Sequence, residues 1–190
     1  EGAQIRTKFV KKKKHKKGSV FKLSKNKKNF SLYPFDINNK IKVKDIMSIG
    51  FEGLKAKVIK SNNSYFKMKT LESGIIEKNK GVHILNRKIK LNFLTEKDYL
   101  AINIAKKFKI KHFALSFTNS KQDINNFNKI LKKEIKIFKI ETNNALSKFK
   151  DLSKYGKNFL IDRGDLSKDI GIEKIPIAQR KIIEIAKLKK

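Results

Sequence analysis

The chain has 190 residues, enough for one or two domains, and 39% of them are hydrophobic, which suffices for a packed core. It contains no cysteine, so disulfides and thiolate metal sites are excluded, and its three histidines are too few for a histidine-rich metal site. No apolar run approaches the roughly 20 residues that span a bilayer, and no signal-peptide pattern follows the basic start. We therefore expect a cytoplasmic protein.

The formal net charge of +31 has two explanations. A strongly basic protein can have an anionic partner, such as nucleic acid, an anionic membrane or phosphorylated metabolites. Alternatively, the charge is compositional, because Lys, Asn, Ile and Phe are abundant and their codons are rich in A and T. Proteins that read bases favour Arg, whereas the basic residues here are mostly Lys. We favour the compositional explanation and expect neither nucleic acid nor a membrane as partner.

Residues 8–80 show short stretches in which apolar and polar side chains alternate. This period of two predicts antiparallel strands with one solvated face. Asn62 and Asn63 separate two of the stretches and predict a hairpin turn. We therefore predict a small all-β domain. Its predicted strands are Val20–Leu23, Ile41–Lys44, Lys55–Ile59 and Tyr65–Lys69.

From about residue 81 the pattern changes to alternating helices and strands. Thr95 and Ser120 each precede an apolar helical pattern and are followed three residues later by an acid, which predicts a capping box. The succession of strand and helix predicts a parallel sheet with right-handed crossovers. The predicted strands are His112–Phe117, Ile135–Glu141 and Phe159–Ile161, and later helices pass through Leu146–Leu152 and Ile175–Leu188.

A parallel sheet of this kind belongs either to a doubly wound fold or to a (β/α) barrel. Polar residues end three successive strands, and barrel enzymes carry their active sites on that face, so we favour the barrel. Eight strand-helix units need about 250 residues, and residues 81–190 supply only part of them. We therefore expect the chain to be part of a longer protein.

Five residues at these strand ends form the candidate site: Lys139, Glu141, Arg163, Gly164 and Asp165. Two side chains two apart in a strand point to the same face, so the lysine and the glutamate share one environment. Two carboxylates without Cys or His suit a hard cation such as Mg²⁺, and a nearby lysine suits negative charge on a phosphoryl group. The alternative is that these are two ordinary surface ion pairs.

Eight segments match the motifs of one protein family in order and spacing, over essentially the whole chain. Glu1–Thr7 resembles the end of D-x-x-G-P-x-I-R-T-G, Phe51–Leu54 resembles D-D-G-L, Lys80–Leu85 resembles K-G-V-N-L-P, and Leu94–Asp98 resembles L-T-E-K-D. Further along, Ser116–Asn119 resembles S-F-V-R, Lys139–Thr142 resembles K-I-E-N, Asp162–Leu166 resembles A-R-G-D-L, and Pro176–Arg180 resembles P-x-x-Q-K. These are the motifs of pyruvate kinase, and we identify the sequence as resembling that family.

The resemblance implies an α/β fold: a partial (β/α)8 TIM barrel with an inserted small all-β lid domain. Residues 1–7 would end a barrel strand, residues 8–80 would form the lid, and residues 81–190 would form the central, incomplete part of the barrel. The reaction implied is phosphoryl transfer from phosphoenolpyruvate to ADP, giving pyruvate and ATP. The resemblance also implies a homo-oligomer, a tetramer.

The resemblance assigns roles to matching positions. Lys139 would stabilise the enolate and the transferring phosphoryl group, and Glu141 and Asp165 would hold Mg²⁺ or Mn²⁺. The backbone around Arg163, Gly164 and Asp165 would meet the substrate carboxylate. Arg6 and Lys80 match nucleotide-side positions. A K⁺ site is expected in the segment upstream of this chain.

The sequence departs from the family pattern at Asn119, where the motif has Arg, at Ser167, and at Leu85-Asn86. We expect this chain alone to be inactive, because residues for phosphate binding lie outside it. Two alternatives remain open. One is a divergent, non-catalytic paralogue that keeps the metal site. The other is a protein that binds RNA or another polyanion through the lysine-rich run at residues 11–17 of the lid.

Overall fold

The computed structural model describes residues 4–27, 29–50 and 54–188, and these form two compact units, one within residues 4–91 and one within residues 92–188. The content is mixed α/β, as predicted. The motif residues Glu1–Ala3 and Phe51–Gly53 lie outside the described residues.

The first unit is built from antiparallel strands. Its strands are β1 (Ile5–Lys8), β2 (Lys13–His15), β3 (Val20–Ser24), β4 (Ser31–Tyr33), β5 (Ile46–Ile49), β6 (Leu54–Ser61), β7 (Tyr65–Thr70), β8 (Gly74–Ile76) and β9 (Gly81–Ile84), with a 3₁₀ helix at Phe35–Asn39. In the described part of the chain, seven strands form one sheet in the order β3-β7-β6-β5-β9-β1-β4, and β2 pairs with β8. Ser24 N donates to Phe30 O over 2.6 Å, so the two outer strands approach and the sheet nearly closes.

Alternation along these strands creates the core, because every second side chain faces inward. In β7, Phe66 and Met68 are fully buried while Lys67 and Lys69 are exposed. The hairpin predicted between β6 and β7 is present, and Asn62 Oδ1 accepts hydrogen bonds from the Ser64 and Tyr65 amides. The sequence pattern therefore determines both the register and the buried face here.

One predicted strand, Ile41–Lys44, is wrong. The segment forms a turn instead, in which Lys44 has a φ of +77° and the Lys42 amide donates to Asp45 Oδ2 over 2.7 Å. The apolar residues Ile41 and Val43 imitate strand alternation, but the aspartate accepts a local backbone hydrogen bond, as Asp often does in turns.

The limits predicted for the lid, residues 8 and 80, lie inside the first unit. Strand β1 pairs with both β4 and β9, with Arg6 opposite Gly81, so the described residues on either side of the predicted limits join the antiparallel sheet. The assignment of residues 1–7 and 81–190 to a barrel stays a prediction.

The second unit alternates helices with parallel strands. Its elements are α1 (Glu96–Lys107), β10 (His112–Leu115), α2 (Lys121–Ile130), β11 (Ile135–Ile140), α3 (Asn143–Ser147), α4 (Phe149–Leu152), β12 (Asn158–Ile161), α5 (Arg163–Ile170) and α6 (Ile175–Lys187), with a 3₁₀ turn at Ile172–Lys174. Within the described residues, the three strands form a parallel sheet in the order β10-β11-β12. No helix of the described chain is long and apolar enough to cross a membrane.

Both predicted capping boxes are present. Thr95 Oγ1 accepts from the Asp98 amide and Asp98 Oδ2 accepts from the Thr95 amide over 2.8 Å, which fixes the start of α1. Ser120 and Asp123 make the same reciprocal pair at the start of α2. Two amides that would otherwise lack partners are satisfied at each helix start, so local sequence decides where these helices begin.

The core of the second unit lies where the sheet packs against its helices. Phe138 of β11 is 1% exposed, and its ring lies 6.1 Å from Phe127 of α2 and 5.9 Å from Phe159 of β12, measured between ring centroids. Burial of these side chains anchors the middle strand. The carboxyl end of β11, where the candidate residues lie, is therefore held by a packed layer beneath it.

An enclosed ion pair of the first unit joins Asp45 to Arg87. Asp45 is 2% exposed and accepts from Arg87 Nε and Nη2, both over 2.7 Å. Burial alone would raise the pKa of Asp45, but hydrogen bonds from Arg87 and the Lys42 amide hold it below its usual range. Folding therefore favours the charged carboxylate, and this stabilisation is complete above the pKa of the unfolded state and is lost as the pH falls through the folded-state pKa.

We predict that Asp45→Asn lowers the free energy of unfolding by about 2 kcal/mol at pH 7, because Arg87 loses its charged partner. The difference from the wild-type protein should shrink below about pH 4, where the unfolded-state carboxyl becomes protonated. Urea unfolding at pH 7 and pH 3 measures both quantities. Asp36→Asn, in an exposed pair with Lys40, is the matched control and should change little. An equal deficit at the two pH values would contradict the prediction.

Candidate active site

The candidate site lies at the carboxyl ends of the three parallel strands. The register pairs Leu115 with Phe138 and Ile140 with Ile161, so the residues that follow β10, β11 and β12 emerge side by side. Backbone hydrogen bonds continue beyond the strands, since the Asp162 amide donates to Ile140 O over 3.2 Å. This geometry positions polar side chains from three separate chain segments around one point.

Lys139 is at the centre of the site. Its ammonium nitrogen lies 2.8 Å from Glu141 Oε1 and 2.8 Å from Asp162 Oδ2, and it donates to Ser116 Oγ over 3.4 Å. The side chain is 21% exposed. Burial opposes its charge, but hydrogen bonds to Asp162 and Glu141 outweigh burial and raise the pKa of Lys139. The lysine is thus a fixed positive charge in a partly enclosed setting.

Glu141 is buried, with 2% of the residue exposed. One carboxylate oxygen meets Lys139, and the other accepts a hydrogen bond from the Phe117 amide. Phe117 has a φ of +53°, a left-handed conformation that is uncommon for a bulky residue and that accompanies this backbone contact. Burial raises the pKa of Glu141, and Lys139 and the Phe117 amide partly offset that effect. The pair is enclosed, unlike an ordinary surface ion pair.

Asp162 follows β12 and is the N-cap residue of α5. Its Oδ1 accepts from the Asp165 amide over 3.2 Å, which caps the helix, while its Oδ2 meets Lys139. The hydrogen bond from Lys139 is the largest cause of a lowered pKa for Asp162. The cap holds Asp165 in the first turn of α5, and Lys168 Nζ lies 2.6 Å from Asp165 Oδ1.

Three carboxylates form a group suited to a metal ion. One oxygen each from Glu141, Asp162 and Asp165 lies within 4.8 Å of the others. Carboxylate oxygens are hard ligands of the kind that Mg²⁺ and Mn²⁺ prefer. The predicted metal ligands Glu141 and Asp165 both belong to this group.

Arg163 and Gly164 occupy the first turn of α5 and are exposed. A Cβ atom at Gly164 would lie 3.5 Å from Asp162 Oδ1, an ordinary contact. The turn therefore presents backbone beside the carboxylate group, and Lys139, Glu141, Arg163, Gly164 and Asp165 are gathered by two neighbouring strand ends.

Arg6 and Lys80, the predicted nucleotide-side residues, belong to the first unit. Arg6 Nη1 donates to Asn79 O over 3.0 Å, and Lys80 Nζ lies 3.1 Å from Glu77 Oε2. Thr7 Oγ1 accepts from the Lys80 amide over 2.9 Å. These contacts bring the two cations to the same end of the β1–β9 pair.

Sequence reasoning missed Asp162 as a member of the site. The signal was present, because Asp162 stands where the A-R-G-D-L motif has Ala. It also missed the contacts of Asn119, which donates through Nδ2 to Phe117 O over 2.8 Å and accepts from Thr142 Oγ1. Asn119 thereby links the ends of β10 and β11 at a position where the motif has Arg.

Comparison with known proteins agrees with the motifs. The whole chain, residues 1–190, matches the family model described as "Pyruvate kinase, barrel domain". It is 26% identical to the pyruvate kinase of Thermotoga maritima over 98% of this chain and 42% of that protein. It is 32% identical to that of Methanocaldococcus jannaschii and 34% identical to that of Clostridium perfringens, each over 60% of this chain and about a quarter of the relative. The chain belongs to the pyruvate kinase family, and it spans less than half the length of these relatives.

The Lys139–Glu141 pair gives a stability prediction. Lys139→Met should lower the free energy of unfolding by about 3 kcal/mol, because it leaves a buried carboxylate without its cation. Adding Glu141→Gln should recover much of that loss, since the double variant no longer buries an unpaired charge at Glu141. A double-mutant cycle by urea unfolding measures the coupling. Losses that simply add would show that the two side chains do not depend on each other.

Proposed function

We propose that the protein containing this chain transfers a phosphoryl group between phosphoenolpyruvate and ADP, and that the site at the ends of β10–β12 supports this chemistry. The observation that carries the proposal is Lys139, held at 2.8 Å from two members of a group of three acidic side chains. The family match and the ordered motifs support it. In this proposal, residues 81–190 are the central part of a (β/α)8 barrel, and residues 8–80 are its lid.

Phosphoryl transfer needs positioning and charge compensation more than covalent chemistry from the protein. A divalent cation bound by Glu141 and Asp165 would neutralise charge on the substrate oxygens. Lys139 supplies a second, directional positive charge, which compensates the developing charge on the enolate and the phosphoryl group. The buried pair with Glu141 holds the lysine in place beside the site where the substrate would bind.

The remaining residues have binding roles in this proposal. The backbone of Arg163–Asp165, in the first turn of α5, meets the substrate carboxylate, since helix N-termini attract anions. Arg6 and Lys80 contact the nucleotide. The residues upstream of this chain supply a K⁺ site, and the complete protein is a cytoplasmic homo-oligomer of the tetrameric kind.

Lys139→Ala in the full-length protein should reduce turnover of phosphoenolpyruvate and ADP by at least about 100-fold, because the transition state loses a directed charge. Binding of Mn²⁺ should persist, since the carboxylates remain. A coupled assay of pyruvate release and a Mn²⁺ titration measure the two effects, and Lys150→Ala, an exposed lysine on α4, is the control.

Unchanged turnover in Lys139→Ala would remove the catalytic role of Lys139. A wild-type protein that binds Mn²⁺ but does not turn over the substrates would instead identify a non-catalytic paralogue.

A second candidate function rests on a groove in the first unit. The groove has a volume of about 760 Å³, and the described residues that line it include five lysines and no acid. Apolar side chains lie among the lysines: Phe9 is 47% exposed, and Phe21 stacks on Phe30 with 5.8 Å between ring centroids. Ammonium groups beside one exposed ring and two partly buried rings suit a polyanion with planar bases, such as single-stranded RNA. Lys11, Lys13, Lys14 and Lys16 come from the lysine-rich run noted in the sequence.

Single-stranded RNA should bind this groove with an affinity that falls steeply with salt, because binding releases counterions from the phosphates. Replacing Lys13, Lys14 and Lys16 by Gln should flatten the salt dependence. Replacing Lys60, Lys67 and Lys69 by Gln removes the same charge from exposed positions of β6 and β7 and serves as the control. Equal losses in the two triple variants would show a diffuse charge effect without a site.

A further inference from the structure

Lys139 already has an acceptor for each hydrogen of its ammonium group. Glu141 Oε1 and Asp162 Oδ2 lie 2.8 Å from Nζ, and Ser116 Oγ lies 3.4 Å away. An ammonium group has three donors, so an arriving anion can contact Lys139 fully only after one of these acceptors gives way. The Asp162 side chain is 28% exposed and that of Glu141 is 1% exposed, so of the two carboxylate partners Asp162 is the one that solvent and ligands can reach.

Asp162 also makes the local charge one unit more negative. The carboxylates of Glu141, Asp162 and Asp165 face the ammonium groups of Lys139 and Lys168. Arg163, in the first turn of α5, adds a third positive charge. The A-R-G-D-L motif has Ala at the position of Asp162, and with Ala the same site would carry one negative charge fewer. The additional carboxylate therefore makes the site more attractive to a cation and less attractive to an anion.

We propose that Asp162 is a specificity-determining residue. Its carboxylate makes the site bind a divalent cation first and a phosphorylated, anionic substrate second. The Asp162 carboxylate binds the cation together with Glu141 and Asp165. In the absence of the cation, the same carboxylate forms an ion pair with Lys139. The inference deepens the proposed function, on which it rests for the identity of the anion. Asp162 acts on substrate binding through Lys139 and through the charge of the site.

Asp162 also caps α5, and the experiment has to distinguish the loss of this cap from the loss of the charge. Asn caps helices about as well as Asp, so Asp162→Asn removes the charge and retains the cap, whereas Asp162→Ala removes both. Asp169→Asn is the matched control for charge: Asp169 is an exposed residue of the same helix, and its carboxylate accepts from the Asn143 amide over 2.7 Å.

The experiment measures two affinities in the full-length protein and its three variants. Mn²⁺ binding without substrate is followed by electron paramagnetic resonance of the free ion, and binding of phosphoenolpyruvate is measured by calorimetry with and without Mn²⁺. Asp162→Asn and Asp162→Ala should each weaken Mn²⁺ binding about tenfold or more. Both should tighten cation-free phosphoenolpyruvate binding by about fivefold, the equivalent of one released hydrogen bond. Asp169→Asn should behave as the wild-type protein.

The two affinities change in opposite directions, which distinguishes this role from a structural one. Loss of folding would weaken the binding of both ligands. Wild-type affinities in Asp162→Asn, with losses only in Asp162→Ala, would overturn the proposal and leave Asp162 as a helix cap. If the Asp162 variants bind Mn²⁺ more weakly but none of the proteins binds phosphoenolpyruvate, the role of Asp162 in cation binding is supported. Its role in substrate binding is then wrong, together with the proposed function. Failure of the wild-type protein to bind Mn²⁺ would overturn the cation site itself.

Discussion

The buried charge of Glu141 is the constraint on which the second unit depends. A carboxylate with 2% of its residue exposed is costly unless its oxygens are paired, and here each oxygen has a partner on a different chain segment. Pairing one oxygen requires Lys139 on the same face of β11. Pairing the other requires the left-handed bend at Phe117, just beyond β10. The two partners of the Glu141 carboxylate thus fix the ends of β10 and β11 relative to each other. The same arrangement brings Glu141 close to Asp162 and Asp165.

Local signals carried most of the fold prediction. Thr95 and Ser120 were identified as helix starts because a hydroxyl and an acid three residues later can satisfy two amides without help from distant residues. The turn at Asn62 was predictable for the same reason. The prediction for Ile41–Lys44 is wrong because its apolar and polar residues alternate with the period of a strand. The hydrogen bond that makes it a turn is donated by the Lys42 amide and accepted by Asp45, one residue outside the pattern.

The candidate site was predictable in part. Two polar residues two apart in a strand must share a face, so Lys139 and Glu141 could be paired from sequence. Asp162 was harder to assign, since its role requires knowing that β12 lies beside β11 in parallel register and that α5 begins at once after the strand. The contacts of Asn119 could not be derived at all, because they join loops whose conformations depend on the bend at Phe117. Short-range rules therefore predict the Lys139–Glu141 pair, whereas the place of Asp162 and the contacts of Asn119 depend on tertiary register.

The near closure of the seven-stranded sheet bears on the abundance of lysine. Proteins often protect the outer strands of a sheet from intermolecular pairing by placing lysines there. In the first unit, β3 and β4 instead approach each other through the Ser24–Phe30 hydrogen bond, so geometry shields the backbone that a foreign strand would use. Protection from strand addition is then independent of surface charge. Lysines on this sheet can therefore accumulate or be lost as base composition drifts, without changing how its outer strands are shielded.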